Sequence, residues 1–183
     1  MDRSEALVLV REMVPNRNLV NHCVATEIIM EALARHFGMA GDDVERWALA
    51  GLVHDLDYAQ TADDFERHGI VTAEILAGRI DDEMLHAILA HAGKAPRESQ
   101  MDTALYAADP VTGFIVAAAL VRPDRSLAGV EVSSLLKRWK EKAFARGADR
   151  DQMAACEELG MTREEFLGLS LAAMRARAAE IGL

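Results

Sequence analysis

The sequence predicts an all-α protein, and three observations lead to that prediction. Long stretches are rich in Ala, Leu, Glu, Arg and Met, which favour helices, whereas alternating runs of β-branched residues are almost absent. Typical helix-capping residues precede several of these stretches, and Gly or Pro follows them. With 183 residues and 51% hydrophobic composition, the chain is long enough for one globular domain with a substantial core.

The start and stop signals order the helices in the first two thirds of the chain. They predict helices at about 4–13, 18–36, 42–53, 68–77 and 81–93, and a sixth that begins near Ser99 and contains Asp109. We interpret Asp42 and Asp43 as the cap of the third helix. The pair His54-Asp55 then falls at its C-terminal end, before a loop at 56–66. Pro110 removes a backbone donor, so it either kinks the sixth helix or opens a new one.

The last third of the chain reads as further helices after a turn-rich segment at 122–129. These helices are expected at about 130–146, 150–159 and 162–180, and the last begins with a capping box of Thr162 and Glu165. We interpret residues 1–183 as a single domain with a metal-bearing bundle at about 15–121 and a C-terminal helical cap at about 130–183. Trp139 and Phe144 in this cap leave room for a homodimer contact.

The charge and hydropathy distributions limit the partners. Residues 1–121 hold 9 Lys or Arg against 20 Asp or Glu, a net charge of −11, and the remainder holds 11 against 10. Because nucleic-acid backbones are bound through clustered Lys and Arg, we do not expect a duplex partner. The longest apolar run, at 111–121, is shorter than the ~20 residues of a membrane-spanning helix, so we expect a buried helix and no membrane partner.

Cysteine usage and the N-terminal segment favour the cytoplasm. Cys23 and Cys156 lie far apart in the sequence and form no Cys-x-x-Cys pair, which argues against a disulfide framework or a zinc ribbon. The first 15 residues contain acids among their apolar positions, a composition that argues against a cleaved secretion signal. We therefore predict a cytoplasmic protein.

An ordered set of histidines and aspartates predicts a metal centre. Imidazole nitrogens and carboxylate oxygens are ligands for zinc, manganese and iron, and a bound divalent ion can activate water or polarise a phosphoryl oxygen. The sequence leaves open one ion or two, and a choice among Mn, Fe, Zn, Ni, Co and Mg. The candidate ligands are His22, His54, Asp55, His68, His91 and Asp109.

Helix geometry selects among the remaining histidines. His86 and His91 are five positions apart, a rotation of roughly 140° on a helix, so they cannot both face one site. We choose His91 as the ligand and leave His86 to solvent or to an outer position. His36 lies roughly 21 Å along the helix axis from His22, so these two cannot share an ion.

Three residues are candidates for catalytic roles. Asp55, in the His-Asp pair, is the first. Asp57 follows two residues later and is a candidate general base, although a loop-capping role is an equal alternative. Lys94 is a candidate phosphate contact, with a solvated helix end as the alternative.

The order His22, His54-Asp55, Asp109 resembles the HD-domain superfamily of metal-dependent phosphohydrolases. The segments HDLDY at 54–58 and YAADPVTGFIVAAALVRPDRSL at 106–127 are similar to an uncharacterised bacterial branch of predicted hydrolases, and the similarity covers nearly the whole chain. The resemblance implies a helical bundle in which His22, His54, Asp55 and Asp109 hold a divalent ion. It also implies that Asp55 bridges to a second ion.

The chain also departs from known subgroups of this superfamily. With His68 and His91 added, the ligand set is similar to two-metal members, which include cyclic-dinucleotide phosphodiesterases and di-iron oxygenases such as inositol oxygenase. The Gly-Tyr-Pro signature of those phosphodiesterases is absent, so cyclic-dinucleotide specificity is not implied. The His-Asp-x-Gly-Lys form is also absent, which leaves Lys94 as a substitute lysine.

Hydrolysis of a small, anionic, nucleotide-like phosphate ester or anhydride is the function that these features favour. Two alternatives stay open at this point. The same ligands would serve a di-iron oxygenase, or a non-catalytic module that holds a structural ion or senses a ligand.

Overall fold

The computed structural model describes residues 1–183 and contains helices and no strands, which confirms the predicted all-α class. Short 3-10 turns occur at Phe65–Arg67, Leu127–Gly129, Ala155–Leu159 and Ala178–Ile181. The α-helices are α1 (Arg3–Met13), α2 (Arg17–His36), α3 (Asp42–Val53), α4 (Ile70–Leu76), α5 (Asp82–His91), α6 (Gln100–Leu120), α7 (Val132–Trp139), α8 (Arg150–Ala154) and α9 (Arg163–Ala176).

Local capping explains why most helices begin where the sequence predicts. Ser99 caps α6 in a reciprocal capping box with Asp102, whose fully buried carboxylate also accepts a hydrogen bond from the Nδ1 atom of His86. Asp81 caps α5 through the backbone N–H of Met84. The cap of α3 differs from the prediction, because Gly41 occupies that position and the two aspartates lie in the first turn.

The structure decides between the two alternatives for Pro110 and corrects one predicted helix end. Pro110 does not open a new helix, since α6 runs from Gln100 to Leu120 with the proline inside it. Helix α7 ends at Trp139, earlier than the predicted 146, and a series of turns follows. The guanidinium of Arg150 donates to the carbonyl oxygens of Phe144, Ala145 and Ala148, so these groups are satisfied without a helix.

Helices α2 and α6 form the centre of the molecule. Helix α2 packs against α3, α6 and α9, and α6 packs also against α5 and α8. One continuous hydrophobic cluster extends from Ala6 to Ile181, so the helices after residue 130 share their core with the bundle before it. Trp139 is 9% exposed and packs edge-on against Phe114 inside this cluster. The homodimer stays a prediction.

Helix α6 is the one helix whose length and apolar composition would suffice to cross a bilayer. In this fold, 67% of its most apolar window is buried within the protein. This burial is typical of the core helix of a soluble protein. The cytoplasmic location stays a prediction.

The crossing of α2 and α3 depends on a glycine. A Cβ atom at Gly51 would lie 2.8 Å from the carbonyl oxygen of Thr26 and 2.9 Å from the backbone nitrogen of Glu27. Both contacts are with backbone, which cannot rotate away as a side chain can. The absence of a side chain at Gly51 therefore allows the two helices to approach closely enough to bring their ends together.

We predict that Gly51→Ala lowers the free energy of unfolding by about 1–3 kcal/mol, because the added methyl overpacks the α2–α3 crossing. Gly113→Ala is the matched control, since a Cβ atom there meets nothing within 4 Å. Removing a glycine from the interior of α6 should raise the free energy of unfolding by about 0.5–1 kcal/mol. Urea denaturation of both variants tests this, and an equal response of the two would contradict the packing argument.

Candidate metal centre

The predicted ligands come together from five parts of the fold. Asp55 directly follows the C-cap of α3, where the chain leaves regular helical geometry and two adjacent side chains can converge. All six candidates meet at one end of the bundle. They are His22 in α2, His54 and Asp55 at the end of α3, His68 before α4, His91 at the end of α5 and Asp109 in the middle of α6.

The first group of ligand atoms surrounds the Nε2 atom of His22. This atom lies 3.2 Å from Nε2 of His54, 3.4 Å from Oδ2 of Asp55 and 3.1 Å from Oδ1 of Asp109. The Nε2 atom of His54 lies 3.8 Å from the same Asp109 oxygen. Ligands that each sit about 2.1 Å from an ion at angles of 90–110° are roughly 3.0–3.4 Å apart. The observed spacing fits a divalent ion.

The second group is arranged around Asp55. Its Oδ1 atom lies 3.5 Å from Nε2 of each of three histidines, His54, His68 and His91. Its Oδ2 atom faces His22. Asp55 thus contacts both groups of ligands.

Each of the four histidines uses its Nδ1 atom for a partner outside the centre. The Nδ1 atoms of His54 and His91 face the carbonyl oxygens of Gly51, at 2.8 Å, and Ile88. A carbonyl oxygen can only accept, so both nitrogens carry the proton. The other ring nitrogen, Nε2, then has a free lone pair directed at the centre.

The same tautomer follows for His22 from a two-step hydrogen-bond chain. The hydroxyl of Thr112 donates to the carbonyl oxygen of Asp109 at 2.8 Å. Its oxygen therefore accepts from the Nδ1–H of His22, which lies 2.7 Å away. In the centre itself, the buried Nε2 atom of His91 has no hydrogen-bond partner. A metal ligand whose ion is not bound would leave a buried nitrogen unpaired in this way.

Asp57 performs the corresponding task for His68. Its side chain is fully buried, and Oδ1 accepts from Nδ1 of His68 at 2.8 Å. Its Oδ2 accepts from the backbone N–H groups of Gly69 and Thr72. Burial alone would raise the pKa of Asp57, but His68 and these two N–H groups lower it. The general-base role stays a prediction, while the geometry shows a carboxylate that positions His68.

Gly69 makes this arrangement sterically feasible. Its φ angle is +79°, in the left-handed region that favours glycine. A Cβ atom there would lie 2.6 Å from the Cβ of Ala92 and 3.1 Å from the carbonyl oxygen of Ile88. The chain can therefore turn sharply into α4 against α5, with His68 and His91 on neighbouring elements.

The two carboxylates of the centre, Asp55 and Asp109, make a positive charge favourable there. Burial alone would lower the pKa of His22, but Asp109 and Asp55 outweigh it and raise that pKa to about 10. Burial alone would raise the pKa of Asp55, yet His54, His22 and His91 hold it well below its usual range. A proton on His22 supplies positive charge when no ion is bound. Ion binding would displace that proton.

The centre lines a pocket of about 550 Å³ that is open to solvent. The side chains of His22 and Asp109 are 20% and 27% exposed, whereas His54 is fully buried. Lys94 does not line the pocket, and its Nζ atom lies 3.5 Å from a carboxylate oxygen of Glu66. Its role as a phosphate contact stays a prediction without support from this geometry.

A comparison with protein-family models identifies the family of this chain. A family model described as HD domain matches residues 19–128, which is more than half of the chain and contains all six candidate ligands. The chain belongs to the HD-domain family. Members of this family are mostly metal-dependent hydrolases, and they bind divalent metals. Comparison with curated proteins and with solved structures finds no significant match.

Sequence reasoning missed the groups that orient the histidines of this HD domain. Gly51 and Ile88 each precede their histidine by three positions, and Thr112 follows Asp109 by three. Residues three apart are neighbours on a helix, so this spacing was a usable signal. The pocket wall formed by Gly147, Ala148 and Gln152 carried no such signal, because it depends on how distant helices pack.

We predict that Thr112→Val weakens Mn²⁺ binding about 10- to 100-fold, since the Nδ1–H of His22 loses its acceptor. Thr112→Ser retains the hydroxyl and should bind Mn²⁺ like the wild type. Dissociation constants from competition with a fluorescent chelator, measured beside the melting temperature, test this. Wild-type affinity in a folded Thr112→Val protein would show that Thr112 does not position His22.

Proposed function

We propose that this HD domain is a metal-dependent phosphohydrolase that acts on a small phosphate ester through a metal-activated water. The observation that carries the proposal is the convergence of four Nε2 atoms and two carboxylates beside an open pocket. Structural metal sites are closed by protein ligands, whereas catalytic sites keep a position for water or substrate. Family membership adds support, because HD domains are mostly metal-dependent hydrolases.

The ligand arrangement supports two neighbouring ions. His22, His54 and Asp109 would hold the first, and His68 and His91 would hold the second. Asp55 would contribute one oxygen to each, since Oδ2 faces His22 and Oδ1 faces the other histidines. A bound divalent ion lowers the pKa of a water molecule and offsets charge on a phosphoryl oxygen. The identity of the ions is left to measurement.

The protein residues would perform three tasks in this reaction. Thr112 and Asp57 hold His22 and His68 in one tautomer and one orientation. Asp109, at 27% exposure, would contact water entering from the pocket. The buried surroundings of His54 exclude solvent from the inner side of the centre, so water and substrate approach from one direction.

A small anionic substrate is consistent with the charge balance of the pocket. The lining includes two carboxylates and no Lys or Arg, so bound ions would provide the only strong positive charge. A phosphate group would therefore bind at the ions themselves. Pocket volume supports a small molecule, because sites for such ligands typically span about 300–1,000 Å³.

A di-iron oxygenase is the second candidate. It is favoured by the four histidines among six ligands, since imidazole suits iron. Dioxygen uptake by the iron-loaded protein, with none by the manganese-loaded protein, would support this candidate. Phosphate release with manganese would support the hydrolase.

We predict that His54→Ala loses bound metal and reduces phosphate release at least about 100-fold, because removal of even an outer partner of a ligand costs about 10- to 100-fold. His36→Ala is the matched control, since His36 is exposed at the other end of α2. Metal content per chain and phosphate release from a panel of esters are measured for both variants. A fully metallated, active His54→Ala protein would overturn the proposed centre.

A further inference from the structure

The part of the pocket beyond the metal centre has a distinct chemical character. Its walls contain aromatic rings, small residues and one carboxamide, and they contain no Lys or Arg. The inference about this wall rests on the proposed function in one respect, namely that the phosphate group of the substrate binds at the ions. The wall itself would contact the remainder of the substrate.

Two cations beside the pocket lining, Lys94 and Arg97, are engaged elsewhere. Lys94 pairs with Glu66, and Arg97 pairs with Glu158 at 2.7 Å while its guanidinium stacks over Tyr106. Neither Lys94 nor Arg97 therefore supplies a free positive charge at the pocket wall.

Arg150, the first residue of α8, is also engaged by other groups of the protein. It donates to three backbone carbonyls and stacks over the Phe114 ring at 4.4 Å. A second negative charge on the substrate would therefore meet no cation of the pocket wall.

Two aromatic side chains at the mouth of the pocket are unusually exposed for their size. Tyr58 and Phe65 are 37% and 56% exposed and meet edge to face, with ring centroids 6.1 Å apart. Both also pack against the imidazole of His68, at 5.7 and 4.7 Å. Tyr106 lines the pocket as a third aromatic ring. Rings held beside a metal ligand offer an apolar surface for a flat group attached to the bound phosphate.

Gln152 is the only carboxamide in the pocket lining. It lies in α8, outside the matched segment 19–128, and its side-chain amide has no hydrogen-bond partner in the protein. Asp149 caps its backbone N–H at 3.0 Å, so its position is defined by local structure. An unpaired amide in a pocket of aromatic and small residues can donate and accept hydrogen bonds but carries no charge.

We propose that the substrate carries its negative charge only on the phosphate, that the remainder is compact, uncharged and flat, and that Gln152 makes the polar contact with it. The reaction would then be set by the HD-domain centre, and the choice of ester by α8 and the turns before it. Gln152 acts as a specificity-determining residue.

The test compares two esters of equal size, 4-carbamoylphenyl phosphate and 4-carboxyphenyl phosphate, which differ by one negative charge. Dissociation constants from calorimetry and kcat/KM from phosphate release are measured on the metal-loaded protein. We expect the carbamoyl ester to bind at least about tenfold more tightly. Equal binding, tighter binding of the carboxy ester, or no binding of either ester would overturn the inference.

Substitution of Gln152 separates specificity from structure. Gln152→Lys places a cation in the wall and should shift the ratio of the two dissociation constants by about tenfold toward the carboxy ester. Gln100→Lys makes the same change at an exposed position outside the pocket and should leave the ratio unchanged. An unshifted ratio in a folded Gln152→Lys protein would contradict the role of Gln152. Preferential binding without phosphate release under any metal would refute the hydrolase and leave the pocket inference standing.

Discussion

The arrangement on which the rest of the structure depends is a cluster of histidine nitrogens and carboxylates that requires a positive charge within it. The Nε2 atoms of His22 and His54 lie 3.2 Å apart, and the carboxylates of Asp55 and Asp109 lie 3.1–3.8 Å from them. Such a cluster is unfavourable in a buried site unless a proton or a metal ion lies within it. The protein keeps the cluster together because each ring is held from outside by a hydrogen bond that its Nδ1–H donates.

The bundle assembles this cluster by using helix ends and close crossings. His54 and Asp55 are adjacent in the sequence, and they can converge because α3 ends at Val53, directly before them. Gly51 lets α3 approach α2, and Gly69 lets the chain turn sharply against α5. The ligands on different helices therefore reach one another without long, flexible side chains. Rigid elements of this kind give more precise ligand positions than loops do.

The metal centre and one part of the pocket wall come from different parts of the chain. All six ligands lie within the segment that matches the HD domain, whereas Gly147, Ala148 and Gln152 lie beyond it. Arg150 holds the turns before α8 in place through three carbonyl oxygens and the face of Phe114. The two parts share one hydrophobic core, so the wall is a fixed feature of the site.

The sequence by itself determined the helical class, most helix boundaries and the set of ligand candidates. Caps such as Ser99 are local, and helix periodicity separates His86 from His91, so both could be read without the fold. Only the tertiary structure decided that Asp57 positions His68, that Lys94 pairs away from the pocket and that α7 ends at Trp139. The physical reason is range: capping and periodicity act over a few residues, whereas the direction of a side chain between helices depends on packing across the whole bundle.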